Sequence, residues 1–257
     1  MDTIKQRLGR GEVLKVAAAG RIVHHNLIQM LGVQGGFDAV WFDQEHMDYS
    51  TEKLEIGTLA CRALGMDSFV RLAPTDYAVV TRALEAGAGG VMAAQVRSAA
   101  EAEQFVKWAK FHPRGYRGLN TAGWDAKFAT IPAAKFAEQA NRESFVAIQI
   151  ETVEALAECH QIAAIDGVDL LFLGPADMSQ NLGVIGDFFN PKCLAAIDQV
   201  SAACAKHKKP WGVVPVNPEY AGMCVEKGCR MLSVAADVRI INAGIESIKK
   251  AYAKFFA

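Results

Sequence analysis

Two short motifs in the middle of the chain hold the side chains best suited to chemistry. Gln149-Ile150-Glu151 ends one apolar run, and Gly174-Pro175-Ala176-Asp177 ends the next. Both runs have the length and composition of strands, and residues 153–165 between them show helical spacing. In a parallel β/α fold the carboxyl ends of the strands share one face. Glu151 and Asp177 therefore converge there, either as a site for a hard metal ion or as an acid–base pair.

Further polar residues follow other apolar runs. Asp43, Glu45 and His46 come directly after the second run, and Arg71 lies at the end of the third. Any one of these residues alone is better explained as a helix cap or a solvated surface group. Their gathering on one predicted face favours an active site instead.

Together these residue types suit the chemistry of an α-keto acid. Two carboxylates without a nearby cysteine favour an oxygen-preferring ion such as Mg²⁺ or Mn²⁺, to which a keto acid can chelate. Arg71 would stabilise negative charge on the keto oxygen. His46 would accept a proton or help to position the acceptor, because imidazole titrates near neutral pH. Residues 174–177 open a helix, and the backbone N–H groups there, other than that of Pro175, which has none, would hold a carboxylate.

Eight apolar runs predict eight strands, each followed by a segment long enough for a helix. They cover residues 13–19, 37–42, 67–72, 89–94, 144–150, 169–174, 211–215 and 231–236. Eight such units over about 250 residues predict a (β/α)₈ TIM barrel, here a single domain over residues 1–257. Residues 116–139 predict a loop with short helices over the barrel mouth. The amphipathic final helix, 240–256, would dock on its own barrel or on a neighbouring subunit.

Composition excludes several classes of partner. The 257 residues are 51% hydrophobic and 21% charged with a net charge of −1, so no basic surface for nucleic acid is indicated. No apolar run reaches the ~18 residues of a membrane span, and residues 1–13 lack the apolar core of a signal peptide. The six cysteines form no CxxC motif. We therefore expect a cytoplasmic protein with reduced thiols, without a disulfide frame or a zinc site.

The motifs resemble a known family in their order and spacing. They are Trp41-Phe-Asp-Gln-Glu-His46, Val70-Arg71, Gln149-Ile-Glu151 and Gly174-Pro-Ala-Asp177-Met-Ser179. They look like the class II metal-dependent pyruvate aldolases of the 4-hydroxy-2-oxoheptanedioate and 2-dehydro-3-deoxyglucarate aldolase family, within the citrate lyase β-subunit superfamily. The resemblance covers residues 12–250. It implies a lyase of sugar-acid or aromatic catabolism that cleaves a 4-hydroxy-2-oxo acid into pyruvate and an aldehyde through a pyruvate enolate.

The same resemblance implies a cofactor, an assembly and a pyruvate site. The cofactor is a divalent ion (Mg²⁺, Mn²⁺ or Co²⁺), with Glu151 and Asp177 as its ligands. Gln149 and residues Gly174 to Asp177 correspond to positions that hold pyruvate, and the loop around Trp124 would face the aldehyde. The assembly is a homohexamer, a trimer of dimers, with the C-terminal helix exchanged between partners.

Catalytic roles are also implied by the resemblance. His46 corresponds to the base, and Arg71 to the group that stabilises the transition state. An acidic residue before the fourth strand raises the basicity of that histidine in the family. Glu85 takes this place here, where the family commonly has Asp, and Asp43 is a second candidate partner for His46.

Other activities remain as alternatives. A Schiff-base aldolase needs a lysine on a strand, and Lys15 is the one such candidate. A lyase for malyl- or citryl-coenzyme A would need a basic patch for the nucleotide, and none is evident. Oxaloacetate decarboxylation would use the same enolate. A non-catalytic scaffold would be favoured by loss of Glu151, Asp177 or Arg71, and all three are present.

Overall fold

Eight parallel strands close into a barrel in the computed structural model, which describes residues 2–256. Each strand pairs with its neighbours in chain order, and the last pairs with the first. The strands are β1 (Leu14–Ala19), β2 (Ala39–Asp43), β3 (Asp67–Leu72), β4 (Gly90–Ala93), β5 (Phe145–Ile150), β6 (Leu170–Leu173), β7 (Trp211–Val213) and β8 (Cys229–Ala236). The predicted (β/α)₈ barrel is confirmed, and every predicted run agrees with its strand to within two residues at either end.

Helices surround the barrel between the strands. They are α1 (Ile4–Gly9), α2 (His25–Gln34), α3 (Thr51–Ala63), α4 (Tyr77–Glu85), α5 (Ala99–Ala109), α6 (Ala133–Glu143), α7 (Val153–Ala157), α8 (Cys159–Ala164), α9 (Pro175–Asn181), α10 (Pro191–His207), α11 (Pro218–Glu226) and α12 (Asp237–Ala251). Ser50, Asp76 and Ser98 cap α3, α4 and α5 by accepting a backbone hydrogen bond, which satisfies a donor that the helix cannot. None of the helices within residues 2–256 has both the length and the apolarity needed to cross a bilayer.

Two apolar layers hold the fold together. Inside the barrel, Trp41, Phe69, Phe145 and Phe172 contact one another at ring-centroid distances of 5.5–6.1 Å. The amino end of this inner layer is closed by α1, which buries Ile4 and Leu8 against it. A larger layer lies between the strands and the helices and contains the alternate strand side chains. The strands are therefore fixed on both faces, so side chains at their carboxyl ends have a rigid base.

The loop that precedes α6 lies at the amino end of the barrel. The Tyr116 N–H donates to the carbonyl of Lys107 in α5, and the Trp124 N–H donates to the carbonyl of Glu85 at the end of α4. A helix-to-strand connection leads to the start of the next strand, which is the end opposite the mouth. The prediction that residues 116–139 cover the mouth, with Trp124 facing the aldehyde, is therefore wrong within one chain.

The final helix contacts its own barrel only at its first turn. Asp237 is its one buried residue, whereas Ile245 and Ile248 are 50% and 55% exposed. A 3₁₀ turn, Ala253–Phe255, follows, and Phe255 is 83% exposed. The amphipathic helix predicted here is present, but its apolar face is not covered by its own barrel. Exchange of this helix between subunits stays a prediction.

Candidate active site

Most of the predicted site residues meet at the carboxyl ends of the strands. Asp43 ends β2, Arg71 lies near the end of β3, Gln149 lies near the end of β5, and Glu151 follows it. Asp177 stands in the first turn of α9, directly after β6. A cavity of about 660 Å³ opens at this end of the barrel. Its wall includes Asp43, His46, Arg71, Gln149, Gly174, Pro175, Ala176 and Asp177.

Arg71 is clamped by two carboxylates. Its Nε and Nη2 donate to the two oxygens of Asp43 at 3.0 and 2.7 Å, and its Nη1 lies 2.9 Å from Oε2 of Glu45. The guanidinium also lies 4.6 Å from the ring centre of Trp41. Burial opposes ionisation of Asp43, but its hydrogen bonds from Arg71 bring the pKa of that carboxyl below its ordinary value. The arginine is therefore held in one orientation toward the cavity.

His46 lies at the open edge of the cavity, with its side chain 57% exposed. The carboxylate beside it belongs to Glu45, whose Oε2 is 3.8 Å from His46 Nε2. Burial raises the pKa of Glu45 more than Arg71 and His46 lower it. Both oxygens of Asp43 are bound by Arg71 instead. The proposed role of Asp43 as partner of His46 stays a prediction, and Glu45, which the sequence places on this face, has no role assigned from the sequence.

Glu85 is not brought to this site. It ends α4 at the amino end of the barrel, where its Oε2 accepts a hydrogen bond of 3.0 Å from Asn120 Nδ2. His46 follows β2 at the carboxyl end. The two residues of one chain therefore lie at opposite ends of the barrel, and Glu85 is too far away to act on His46 of its own chain.

Glu151 is fully buried in a tight polar corner. Its Oε1 accepts from the Gln95 N–H at 2.8 Å, and its Oε2 accepts a very short hydrogen bond from Gln149 Nε2. Burial is the main reason that the pKa of Glu151 rises to about 7, and the carboxylates of Glu45 and Asp177 add to the shift. Gly174 leaves this corner open, because a Cβ there would lie 2.6 Å from Glu151 Oε2.

These residues fit a divalent cation. The carboxylates of Glu45 and Asp177 both raise the pKa of buried Glu151, and Asp177 also raises the pKa of Glu45. Oε1 of Gln149 is buried and accepts no hydrogen bond within the described structure, whereas Oε2 of Glu45 is ion-paired with Arg71 at 2.9 Å. A dication would offset the crowded negative charge, and oxygen donors are what Mg²⁺ and Mn²⁺ prefer.

The protein supplies few ligands of its own. Within residues 2–256, no group of three or more His, Cys, Asp or Glu side chains is arranged as a metal site. The assignment of Glu151 and Asp177 as ligands of a divalent ion stays a prediction. The start of α9 has no side-chain cap, since Gly174 is its N-cap and Pro175 its first helical residue. Binding of a carboxylate by its backbone stays a prediction.

The lysine needed for a Schiff-base mechanism is not at the mouth. Lys15, near the start of β1, lies with its Nζ 2.8 Å from Oδ2 of Asp38, just before β2. Lys110 follows α5 and donates to the carbonyls of Asn141 and Ser144 at 3.3 and 2.6 Å. Both lysines therefore lie away from the carboxyl ends of the strands.

The opposite wall of the cavity was not predicted. It is formed by residues that follow β1, β7 and β8, among them Arg21, Val214, Val216, Asp237 and Arg239. The signal that would have found Asp237 is its position directly after an apolar run, which is the same signal that marked Glu151.

Comparison with known proteins agrees with this geometry. Residues 23–243 match the family described as HpcH/HpaI aldolase/citrate lyase. A 2-dehydro-3,6-dideoxy-6-sulfogluconate aldolase from Pseudomonas putida is 34% identical over 206 residues, which are 80% of each chain. A 4-hydroxy-2-oxo-heptane-1,7-dioate aldolase from Escherichia coli is 28% identical over 83% of this chain and 81% of its own.

The fold of a solved relative agrees as well. The crystal structure of an HpcH/HpaI aldolase from Desulfitobacterium hafniense DCB-2 superposes with a TM-score of 0.89 at 28% identity, covering 97% of both chains. Family match, curated relatives and solved fold point the same way, and the expected reaction class, a carbon–carbon lyase of the aldolase type, is confirmed. This chain belongs to the HpcH/HpaI aldolase/citrate lyase family.

Proposed function

We propose that this chain is a metal-dependent aldolase that cleaves a 4-hydroxy-2-oxo acid into pyruvate and an aldehyde, and joins them in reverse. The observation that carries the proposal is one cavity lined by Arg71, His46, Gln149 and Asp177, with buried Glu151 behind it. This set combines a cation for developing negative charge, a base, and two oxygen ligands. The metal is Mg²⁺, Mn²⁺ or Co²⁺.

The reaction follows from the position of each side chain. A divalent ion held by Glu151 and Asp177 would supply Lewis acidity that favours formation of the enolate. Gln149, whose Oε1 and amide group face the corner beside Glu151, orients the pyruvate half. The imidazole of His46 takes the proton of the C4 hydroxyl, the C3–C4 bond breaks, and its electron pair forms the enolate of pyruvate. Arg71 donates hydrogen bonds to the enolate oxygen, and protonation at C3 gives pyruvate.

The energetic role of Arg71 rests on its preorganisation. Asp43 and Glu45 fix the guanidinium before substrate arrives, so little reorganisation is needed as charge develops. A donor fixed in this way is worth roughly 10²–10³ in kcat. The exposed edge position of His46 lets its proton exchange with solvent between the two halves of the cycle.

The exposed apolar face of α12 bears on how the enzyme assembles. We infer a cytoplasmic homohexamer, a trimer of dimers, in which the C-terminal helix is exchanged between partners. The exposed apolar side chains of α12, Ile245 and Ile248 among them, support a covered helix face.

The deciding experiment is pyruvate release from a panel of 4-hydroxy-2-oxo acids, with EDTA and then with Mg²⁺, Mn²⁺ or Co²⁺ restored. We expect EDTA to abolish release and one of the three ions to restore it. Glu151→Gln should remove the rescue. The matched control is Glu154→Gln, which alters a carboxylate that is 49% exposed and ion-paired with Arg97.

Other outcomes would redirect the proposal. Activity that is indifferent to EDTA would refute the roles of Glu151 and Asp177 and favour a lysine mechanism. Absence of pyruvate with every acid would refute the aldolase and favour a coenzyme A thioester lyase or a non-catalytic scaffold.

A further inference from the structure

The two proposed metal ligands lie on separate segments of the chain. Glu151 directly follows β5, and Asp177 stands in the first turn of α9, after β6. The hydrogen bonds between these two strands end with the Gly174 N–H, which donates to the carbonyl of Ile150 at 3.2 Å. Both carboxylates therefore lie beyond the paired part of the sheet, and other contacts must fix the distance between them.

The side chain of Asn181 connects the two segments. Asn181 is the last residue of α9, about one helical turn after Asp177. Its Nδ2 donates to the backbone carbonyl of Glu151 at 2.9 Å and to that of Asp177 at 3.0 Å. An amide nitrogen carries two hydrogens, so it can make both bonds at once. One side chain thus joins the backbones of both proposed ligands.

The carbonyl of Glu151 depends on this amide. Glu151 lies between β5 and α7 and belongs to neither, and within residues 2–256 no backbone N–H donates to its carbonyl. The residue is fully buried. A buried carbonyl without a hydrogen bond is costly, so the segment around Glu151 would rearrange if the amide were lost.

The two carboxylates are placed by different parts of the fold. Both oxygens of Glu151 are held by the Gln95 N–H and the Gln149 amide, so this side chain is fixed relative to β4 and β5. Asp177 is carried by α9, a helix of seven residues whose start has no side-chain cap. The bond from Asn181 to the Glu151 carbonyl therefore ties the far end of α9 to the segment that carries the other ligand.

The separation of two carboxylates affects which ion they bind best. Mg²⁺ requires near-ideal octahedral geometry with ligands at about 2.0–2.1 Å, whereas Ca²⁺ accepts flexible geometries at about 2.3–2.6 Å. A pair of ligands whose separation can vary therefore loses more affinity for Mg²⁺ than for Ca²⁺. A hydrogen-bonded link between the two ligand backbones limits that variation.

We propose that Asn181 is a positioning residue, which fixes the separation of Glu151 and Asp177 and thereby makes the site selective for a small divalent ion. This inference rests on the proposed metal-dependent function and adds a residue that determines which ion is used. Asn181 does not line the cavity, and it acts through the backbones of the two ligands.

The test measures binding of Mg²⁺ and of Ca²⁺ to the whole chain, freed of metal with EDTA, by isothermal titration calorimetry. Asn181→Leu has a side chain of similar size but no donor. We expect its Kd for Mg²⁺ to rise about tenfold, as when a group that orients a metal ligand is removed, and its Kd for Ca²⁺ to change by less than about threefold. Asn181→Ala repeats the comparison with a residue that favours the helix. Asn181→Gln keeps the donors on a longer side chain and should recover part of the Mg²⁺ affinity.

Two control variants accompany the measurement. Asn190 caps α10, where its side chain accepts from the Lys192 N–H at 3.1 Å. Asn190→Leu should lower Tm through loss of this cap but leave both dissociation constants unaltered, so it separates positioning from a general loss of stability. Glu151→Gln should abolish Mg²⁺ binding, which shows that the measured binding occurs at this site.

The outcomes distinguish this inference from the proposed function. Weaker Mg²⁺ binding in Asn181→Leu and Asn181→Ala, with Ca²⁺ binding retained, supports the positioning role. An equal loss for both ions, or no change for either, overturns that role while the metal site stands. Mg²⁺ binding that is absent from the wild-type protein, or that Glu151→Gln leaves unaltered, overturns the assigned metal site and the positioning role with it.

Discussion

Gly174→Ala is the sharpest single test of the geometry at the centre of the site. The added Cβ would lie 2.6 Å from Glu151 Oε2 and 2.7 Å from Gln149 Nε2, closer than real Cβ contacts. Gly174 has φ −96°, which any residue adopts, so the substitution introduces the clash without backbone strain. One or both polar groups must then move by about 0.4 to 0.8 Å to restore ordinary contacts. The variant therefore displaces a proposed metal ligand without changing its chemistry.

The expected losses follow from that displacement. Overpacking of a buried site costs about 1–3 kcal/mol, which lowers Tm by roughly 2–10 °C in a domain of this size. A shift approaching 1 Å at a reacting centre costs about 10²-fold, so we expect kcat/KM for pyruvate release to fall by roughly that factor. Steady-state kinetics and thermal unfolding, each with the restoring metal present, measure the two effects.

A second glycine gives the matched control. Gly222 lies inside α11, and a Cβ there meets no atom within 4 Å. Gly222→Ala should raise stability by about 0.5–1 kcal/mol, because alanine loses less backbone entropy in a helix, and should leave kcat/KM unchanged. The reasoning would be refuted by a Gly174→Ala enzyme with wild-type Tm and kcat/KM within threefold of wild type.

Three further outcomes are expected. Arg71→Lys keeps the charge but loses the paired hydrogen bonds to Asp43, so kcat should fall roughly 10²–10³-fold in steady-state assays; a loss below tenfold would contradict the role. Burial lowers the pKa of Lys110 to about 7 from 10.5, so the unfolded chain binds more protons than the folded one between these values. The free energy of unfolding, measured in denaturant titrations, should therefore rise with pH across that window, and Lys110→Met should reduce the rise. An unaltered dependence on pH in Lys110→Met would contradict the lowered pKa of Lys110. Ile248→Glu, on the exposed apolar face of α12, should lower the mass seen by light scattering, whereas Lys249→Gln should not; equal masses would argue against a covered face.

Much of the barrel and the centre of the site could be predicted from short-range sequence patterns. Buried parallel strands appear in a sequence as continuous apolar runs, so the polar residues that end these runs are easy to identify. Arg71, Gln149, Glu151 and Asp177 were found in this way, and the structure brings them together around one cavity. All eight strands of the closed barrel are parallel, so their carboxyl ends lie on one face. A polar residue that ends an apolar run can therefore be placed on that face from the sequence alone.

The failures have physical causes as well. Within one chain, Glu85 at the end of α4 and the loop at Trp124 lie beside helix-to-strand connections, which are at the amino end whatever their composition. The sequence places Glu45 on the active face but gives it no role, because only the orientation of its side chain reveals its contact with Arg71. The sequence could not show that the apolar face of α12 is left exposed by its own barrel. An amphipathic pattern indicates that one face of a helix is apolar, but it does not indicate which surface packs against that face.

Asp237, at the start of α12, accepts a hydrogen bond from the N–H of Gly20 after β1. This contact determines which part of the barrel can form last during translation. The carboxylate of Asp237 joins residues separated by 217 positions in the chain, so the rim beside β1 stays open until the last strand and the helix after it have been synthesised. Contacts between such distant segments form late, because closing the long loop between them costs conformational entropy. During translation, Arg71 on β3 and Glu151 after β5, with β4 between them, can therefore be in place while the mouth above them is still incomplete. The growing chain therefore completes the mouth of its barrel last.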